Sequence, residues 1–388
     1  MKIDERIARR QHADEEGVIP DYDAISPVVH LSEPVGRGAV IEQLLDVVSP
    51  VFDGHPPSDG YVWGPKGTGK SAIIRPLFEG LSRQVGRSES RLYTTTRAAP
   101  APDVNFVYVD ARRANSAFAL LHTVADTVSS EPVPRQGVGR GAMVKRLQDH
   151  VAGTNRHLLV AVDHVGEPET IGVDGVFEQF DDFGEAVGCV AIGRANPTET
   201  VVSNRPSTET VHVDAYTQHA LAEVLTNRVA DGRLRTATTD EQLTALARWA
   251  EGDAHDALAA LFGAGVTAET RGVERIGPAE LATGMEAVPQ PSVALGRVIA
   301  LPTNRKRIVR RLVGLSEANR SSVSTAAEKI SEGIDLSRAT IERVLYELAE
   351  SGIIRRLKAG ETPATGRPPS RLEPRFPTLV FEQLQAES

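Results

Sequence analysis

The sequence predicts an α/β parallel-sheet domain built around a P-loop, then a helical lid, then a C-terminal winged helix-turn-helix. Three observations carry this. Short apolar runs alternate with helical patterns up to about residue 216, which is how strands covered on both faces read. A glycine-rich phosphate motif sits between the first of those strands and the helix after it. The last hundred residues read helix, helix, helix, strand, strand.

Composition bounds the rest. The chain has 388 residues, of which 24% are charged and 40% hydrophobic, a globular composition spread over two or three domains. A single cysteine, Cys189, excludes an internal disulfide framework and a Cys-rich zinc module. The charged start Met1–Arg6 lacks the apolar core of a signal peptide. No run approaches the roughly 18–20 apolar residues of a membrane span. The expectation is a cytoplasmic, nucleoid-associated protein with no membrane partner.

Net charge is −9, but it is unevenly spread. From residue 291 onward there are 16 Lys+Arg against 11 Asp+Glu, a net of +5, which leaves −14 for the residues before it. An acidic body with a basic C-terminal module points to a polyanion partner for that module.

The elements follow in order. Strands are expected at 59–63, 105–110, 157–162, 188–192 and 210–213, each a short apolar run. Helices are expected from Lys70 to about Gln84 and at 117–128, 142–152 and 175–186. Residues 85–103, rich in Arg, Ser, Thr, Ala and Pro, read as a loop. After Tyr216 only helical patterns remain, at about 218–230, 240–251, 253–268 and 277–286. Val288-Pro289-Gln290-Pro291 reads as a linker. Beyond it come helices at 304–316, 324–331 and 338–350, the third with Ser337 as N-cap and Gly352 as its stop. Strands near 353–358 and 371–376 make the wing. The expected domains are therefore 1–30 (tail), 31–216 (nucleotide-binding), 217–288 (lid) and 291–388 (winged helix).

The motif is Gly64-Pro65-Lys66-Gly67-Thr68-Gly69-Lys70-Ser71. Its glycines let the backbone curl so that N–H groups face phosphate oxygens. Lys70 would reach the β- and γ-phosphates of ATP or ADP, and the Ser71 hydroxyl would ligate Mg²⁺. A magnesium shell also needs an acid at the end of a neighbouring strand. Leu158-Leu159-Val160-Ala161-Val162-Asp163 supplies Asp163. His164 stands where a water-orienting Glu is usual, and Glu167 is the next carboxylate along. Asn196, at the end of the fourth strand, suits sensing of a γ-phosphate.

These residues resemble the AAA+ ATPases, and among them the archaeal replication initiators related to the origin recognition complex and the cell-division-control loader. The resemblance covers about residues 30–388. It is strongest at Trp249-Ala250-Glu251-Gly252-Asp253-Ala254-His255, which is similar to the family's lid motif. There the family places an Arg on the γ-phosphate, and this chain has His255. Val35-Gly36-Arg37 is similar to the family's N-terminal box near the adenine, and Arg205 matches the spacing of its trans-acting arginine finger. Two hydrolysis positions thus depart from the family pattern, His164 and His255. The resemblance implies ATP binding with slow or absent turnover.

In the third C-terminal helix, Ile341, Val344, Leu345 and Leu348 share the inward face. Arg338, Thr340 and Arg343 are left for base edges and phosphates of double-stranded DNA. Arg355, Arg356, Arg367 and Arg371 place charge at the wing. The resemblance implies an initiator that binds origin-like sites, self-associates on DNA and recruits the minichromosome maintenance helicase. Two other readings are compatible with the residues. One is a transcriptional or plasmid-maintenance regulator; the other is a protein-remodelling ATPase.

Overall fold

The computed structural model describes residues 18–31, 34–89, 103–153, 156–232, 237–358 and 370–386. The chain divides into two compact units. One is His30–Ala215; the other joins Met1–Val29 to Tyr216–Ser388. The first described helix, α1 (Tyr22–Ile25), belongs to the second unit.

In the His30–Ala215 unit, five strands form one sheet: β1 (Gly60–Trp63), β2 (Asp103–Asp110), β3 (Arg156–Asp163), β4 (Val187–Gly193) and β5 (Glu209–His212). Their order is β2-β3-β4-β1-β5, and every pairing is parallel. Helices α2 (Gly38–Val48) and α3 (Lys70–Glu89) cover one face, where Leu44, Ile73, Ile74 and Phe78 pack with Val62 and Ile192. On the other face lie α4 (Ala117–Val128), α5 (Arg140–Val151) and α6 (Val173–Phe180), with Leu120, Leu121, Val176 and Phe177 against Val160 and Cys189. Each fully buried side chain of this size stabilises by about 2 kcal/mol. In parallel sheets of this kind, ligands lie outside the carboxyl ends of the strands. That edge carries Trp63, Asp110, Asp163 and Gly193.

Two local expectations change. Helix α3 runs on to Glu89 instead of ending near Gln84; Arg87 and Glu89, good helix formers, lie beyond Gly86. The helix expected over 175–186 stops at Phe180. A 3-10 stretch follows at Asp181–Ala186, broken at Gly184, whose φ of 56° and ψ of −140° no helix accommodates.

In the second unit, α7 (Gln218–Asp231), α8 (Asp240–Trp249), α9 (Ala254–Arg271) and α10 (Pro278–Glu286) come first. Then follow α11 (Leu295–Ile299), α12 (Thr303–Val313), α13 (Val323–Ser331), α14 (Arg338–Glu350), the antiparallel pair β6 (Ile354–Lys358) and β7 (Ser370–Pro374), and α15 (Thr378–Ala386). Ser337 caps α14 by accepting from the Thr340 N–H at 3.2 Å. Gly352 follows the helix with a φ of 77°, a left-handed stop that costs glycine little. Leu258, Leu261 and Phe262 of α9 share one core with Ile341, Leu345 and Leu348 of α14.

The sequence reading missed α15, which lays Val380 and Phe381 into that core; Phe381 meets Phe376 at 5.3 Å. Residues 18–29 also pack here. Arg228 donates to the Ala24 and Val29 carbonyls at 3.0 and 2.8 Å, and Tyr22 reaches Glu269.

Candidate functional site

The P-loop leaves β1 at Gly64. Its φ is 151°, and a Cβ there would lie 2.2 Å from the Val213 carbonyl oxygen. Only glycine fits, because the end of β5 holds this turn from the other side: Val213 N–H donates to Trp63 O at 2.8 Å. Gly67 and Gly69 also have positive φ, 73° and 84°. Between them the loop turns its backbone around Pro65, Lys66 and buried Thr68 and delivers the chain to α3. The Lys70 ammonium donates to Gly64 O at 2.7 Å and to Pro65 O at 2.6 Å. It therefore lies over the loop that opens its own helix.

Asp163 ends β3 with its side chain 1% exposed. It accepts from the Tyr108 hydroxyl at 2.9 Å, from the His164 N–H at 2.7 Å and from the Ser71 hydroxyl. The structure thus brings together Ser71 and Asp163, the two residues expected to hold magnesium, although they are 92 positions apart. Burial by itself would raise the Asp163 carboxyl. His164, the Ser71 and Tyr108 hydroxyls and Arg112 outweigh it and hold the group below the ordinary carboxylate value. Burial first, and then the Asp163 charge, push the Tyr108 phenol well up.

His164 sits in the left-handed region at φ 65°, which disfavours a residue with a Cβ. Its carbonyl accepts from the Thr170 hydroxyl at 3.1 Å, and this and the Asp163 contact fix the turn. The imidazole lies 3.6 Å from Asp163 and 3.8 Å from Glu167. Glu167, 4% exposed, is held by Arg112 at 2.7 and 2.9 Å and by Arg194 at 2.6 Å. Burial would raise this carboxyl too, and the two guanidiniums bring it below its ordinary value. The nearest carboxylate after Asp163 is therefore engaged by two arginines.

Sequence reasoning missed Tyr108, Arg112 and Arg194. Each is ordinary in its own segment. Only the parallel register, with Asp110 beside Asp163, brings them to one edge.

The remaining expected positions of this unit are as follows. Exposed Asn196 caps the 3-10 turn Pro197–Glu199, its Oδ1 accepting from the Thr198 N–H and hydroxyl at 3.1 and 2.9 Å. Arg205 is bound to Asp181 at 2.6 and 2.8 Å, lies 3.6 Å from Asp59 and covers the Phe177 ring at 5.0 Å. Arg37, before α2, is buried and donates to Asp214 O at 2.8 Å.

Residues 33–171, which contain the phosphate loop, Asp163 and Glu167, match the family model described as an AAA ATPase domain. An ORC1-type DNA replication protein 9 from Halobacterium salinarum is 27% identical over 245 residues, 62% of this chain and 63% of that protein. An ORC1-type DNA replication protein 1 from Sulfurisphaera tokodaii is 23% identical over 87% of this chain and 84% of its own length. Among solved structures, the Aeropyrum pernix ORC1 protein in complex with DNA superposes with a TM-score of 0.63 at 20% identity, covering 96% of this chain and 98% of that one. The chain carries an AAA ATPase domain and is similar, at a distance, to archaeal ORC1-type replication proteins.

In this AAA+ chain the lid position expected to carry an arginine is His255, just inside α9. Its Nδ1 faces Asp256 Oδ1 at 2.9 Å, and its Nε2 accepts the Leu295 N–H at 2.9 Å. A backbone N–H only donates, so Nε2 is bare and the proton is on Nδ1. Ser292 donates to the same Asp256 oxygen at 2.5 Å. His255 thus joins the start of α9 to the segment that leads into the C-terminal helices. Asp253, His255 and Asp256 lie close enough to hold a cation by distance alone, but both imidazole nitrogens are engaged in these bonds.

Helices α12, α13 and α14 with β6 and β7 follow one another in the order of a winged helix. Arg338 donates to Glu342 at 3.1 Å and also meets Ser324. Thr340 Oγ1 is 2.9 Å from the Ser337 hydroxyl. Arg343 is 72% exposed and 3.9 Å from Glu347, which also takes Arg305 at 2.8 Å. Arg355 and Arg371 converge on Glu373. Arg356 lies over the Tyr346 ring at 4.8 Å. Arg367 lies outside the described residues.

No helix among the described residues is long and apolar enough to cross a membrane.

Proposed function

We propose that this chain is a nucleotide-binding DNA replication initiator. In this reading it recognises duplex DNA at origin-like sites through its C-terminal module, self-associates there and recruits the replicative minichromosome maintenance helicase. The observation that carries the reading is the likeness to ORC1-type replication proteins along most of the chain, which takes in both the phosphate loop and the basic C-terminal helices.

The donor set fits a magnesium nucleotide. The glycine turns at 64, 67 and 69 leave backbone N–H groups for phosphate oxygens, and Lys70 can turn from its loop carbonyls to the β- and γ-phosphates. The Ser71 hydroxyl and the Asp163 carboxylate, already in contact, would share the cation. Magnesium held by these two residues would supply positive charge against the phosphates. Asn196, and Arg205 in a self-associated form, are the residues proposed to respond to the γ-phosphate.

Nucleotide serves here as a switch. The engagement of Glu167 by Arg112 and Arg194, with His164 beside Asp163, supports slow hydrolysis: the nearest carboxylate after Asp163 is taken up by guanidiniums instead of orienting a water. Filter binding of ATP beside a turnover assay tests this. Micromolar binding with turnover at least about 100-fold below the ordinary 1 s⁻¹ scale is expected, and a rate near that scale overturns the switch. Lys70→Ala should remove ATP binding. Enrichment of the bound chain at replication origins, not promoters, is expected on genome-wide mapping; the reverse would favour a transcriptional regulator.

A further inference from the structure

Most of the described arginines expected at DNA are already matched to carboxylates. Glu373 is the clearest case. It stands opposite Arg355 in the β6–β7 register, takes that guanidinium at 2.7 Å, and takes Arg371 on its other oxygen. Arg371 also lies 3.7 Å from Glu317. On α14, Arg338 is tied to Glu342, and Glu347 stands between Arg305 and Arg343. Of the five described arginines expected at DNA, only Arg356 faces a ring instead of a carboxylate. Arg307 and Arg310 on α12 are exposed and make no ion pair among the described residues, so pairing is not simply the common condition of arginine in this module.

We propose that Glu373 and Glu347 are built-in competitors for phosphate, holding the DNA-facing arginines in exchangeable pairs that suppress non-specific backbone binding. The proposal rests on the reading of the module as DNA-binding and adds its regulation. A carboxylate and a phosphate offer the guanidinium fork the same pair of acceptor oxygens. A phosphate that displaces Glu373 replaces contacts the arginines already had, so a bare backbone gains little. A duplex that also satisfies base-edge contacts along α14 gains what the carboxylate cannot give. Specificity of this kind comes from weakening the wrong complex. The pairs are exposed enough to exchange: Arg355 is 44% exposed and Glu373 19%.

The test uses the full chain and a random-sequence duplex of about 30 base pairs, titrated by fluorescence anisotropy between about 50 and 300 mM salt. Glu373→Gln keeps the shape and removes the charge. It should bind this duplex about tenfold more tightly than wild type, with a salt slope steeper by about 1.8 for two freed arginines. Glu347→Gln, on the helix, should move the same way and does not depend on the hairpin. Glu350→Gln is the control for one unit of charge, since Glu350 is exposed on α14 and makes no ion pair among the described residues; it should change affinity by no more than about twofold. If Glu373→Gln and Glu347→Gln tighten binding no more than Glu350→Gln, or weaken it, the competitor role is wrong and the DNA reading stands. If wild type and all three variants fail to bind at about 50 mM salt, the DNA reading itself falls.

Discussion

Arginine–carboxylate pairs occur in both units of this chain, and burial separates what they do. At the carboxyl edge of the sheet, Arg112 and Glu167 are 9% and 4% exposed. On the C-terminal helices, Arg338 and Glu342 are 51% and 33% exposed. In the first setting water cannot replace a lost partner, so the pair is part of the architecture. In the second, water and salt replace it readily, so the pair is an exchangeable state of the surface. The same chemistry fixes the geometry around Asp163 and keeps the wing arginines available.

The largest expected effect lies on the buried side. Glu167→Ala leaves Arg112 buried without its carboxylate and should destabilise the chain by about 3–5 kcal/mol in denaturant unfolding. Arg338→Ala should stay within about 1 kcal/mol. Equal losses would erase the distinction between the two settings.

Acid titration sharpens it. The Asp163 and Glu167 carboxyls lie below their ordinary values in the folded chain. Each therefore adds stability that is complete above its unfolded value, about 4, and is lost as pH falls through its lower folded value. Glu167→Gln should flatten the dependence of stability on pH below about 5. A variant whose stability falls as steeply as wild type in that range would remove Glu167 from the acid response.

Smaller effects belong to the surface. The Arg338→Ala/Arg343→Ala double variant should lose about 1–3 kcal/mol of discrimination between preferred and random duplex. In the Glu373→Gln background, where the guanidinium is free, Arg355→Ala should reduce the salt slope by about 0.9 and weaken all sequences alike. A sequence-selective loss from Arg355→Ala would make it a base reader and blur the division between helix and wing.

Much of the fold was legible because its signals are local. Apolar runs gave the five parallel strands within a residue or two, the Gly64–Ser71 spacing gave the phosphate loop, and Ser337 marked the start of α14. What was not legible depends on chain segments meeting. Arg112, Glu167 and Arg194 come from three loops that only the sheet order makes neighbours. The role of His255 depends on Leu295, forty residues on. Helix α15 escaped because Thr378-Leu379-Val380-Phe381 is a short apolar run that suits helix and strand equally. Spacing singled out Arg205 but not its partners within its own unit, Asp181 and the Phe177 ring.

The histidine at 255 also bears on reversibility. An imidazole nitrogen there accepts a backbone N–H from Leu295, and an arginine has no lone pair to offer that donor. His255→Arg therefore undoes a joint before it can supply a phosphate contact. An arginine there would set a donor against a donor, so the substitution by itself breaks a bond and replaces it with none. A phosphate contact from position 255 would therefore need a second change near Leu295, and the order in which the two are made would matter.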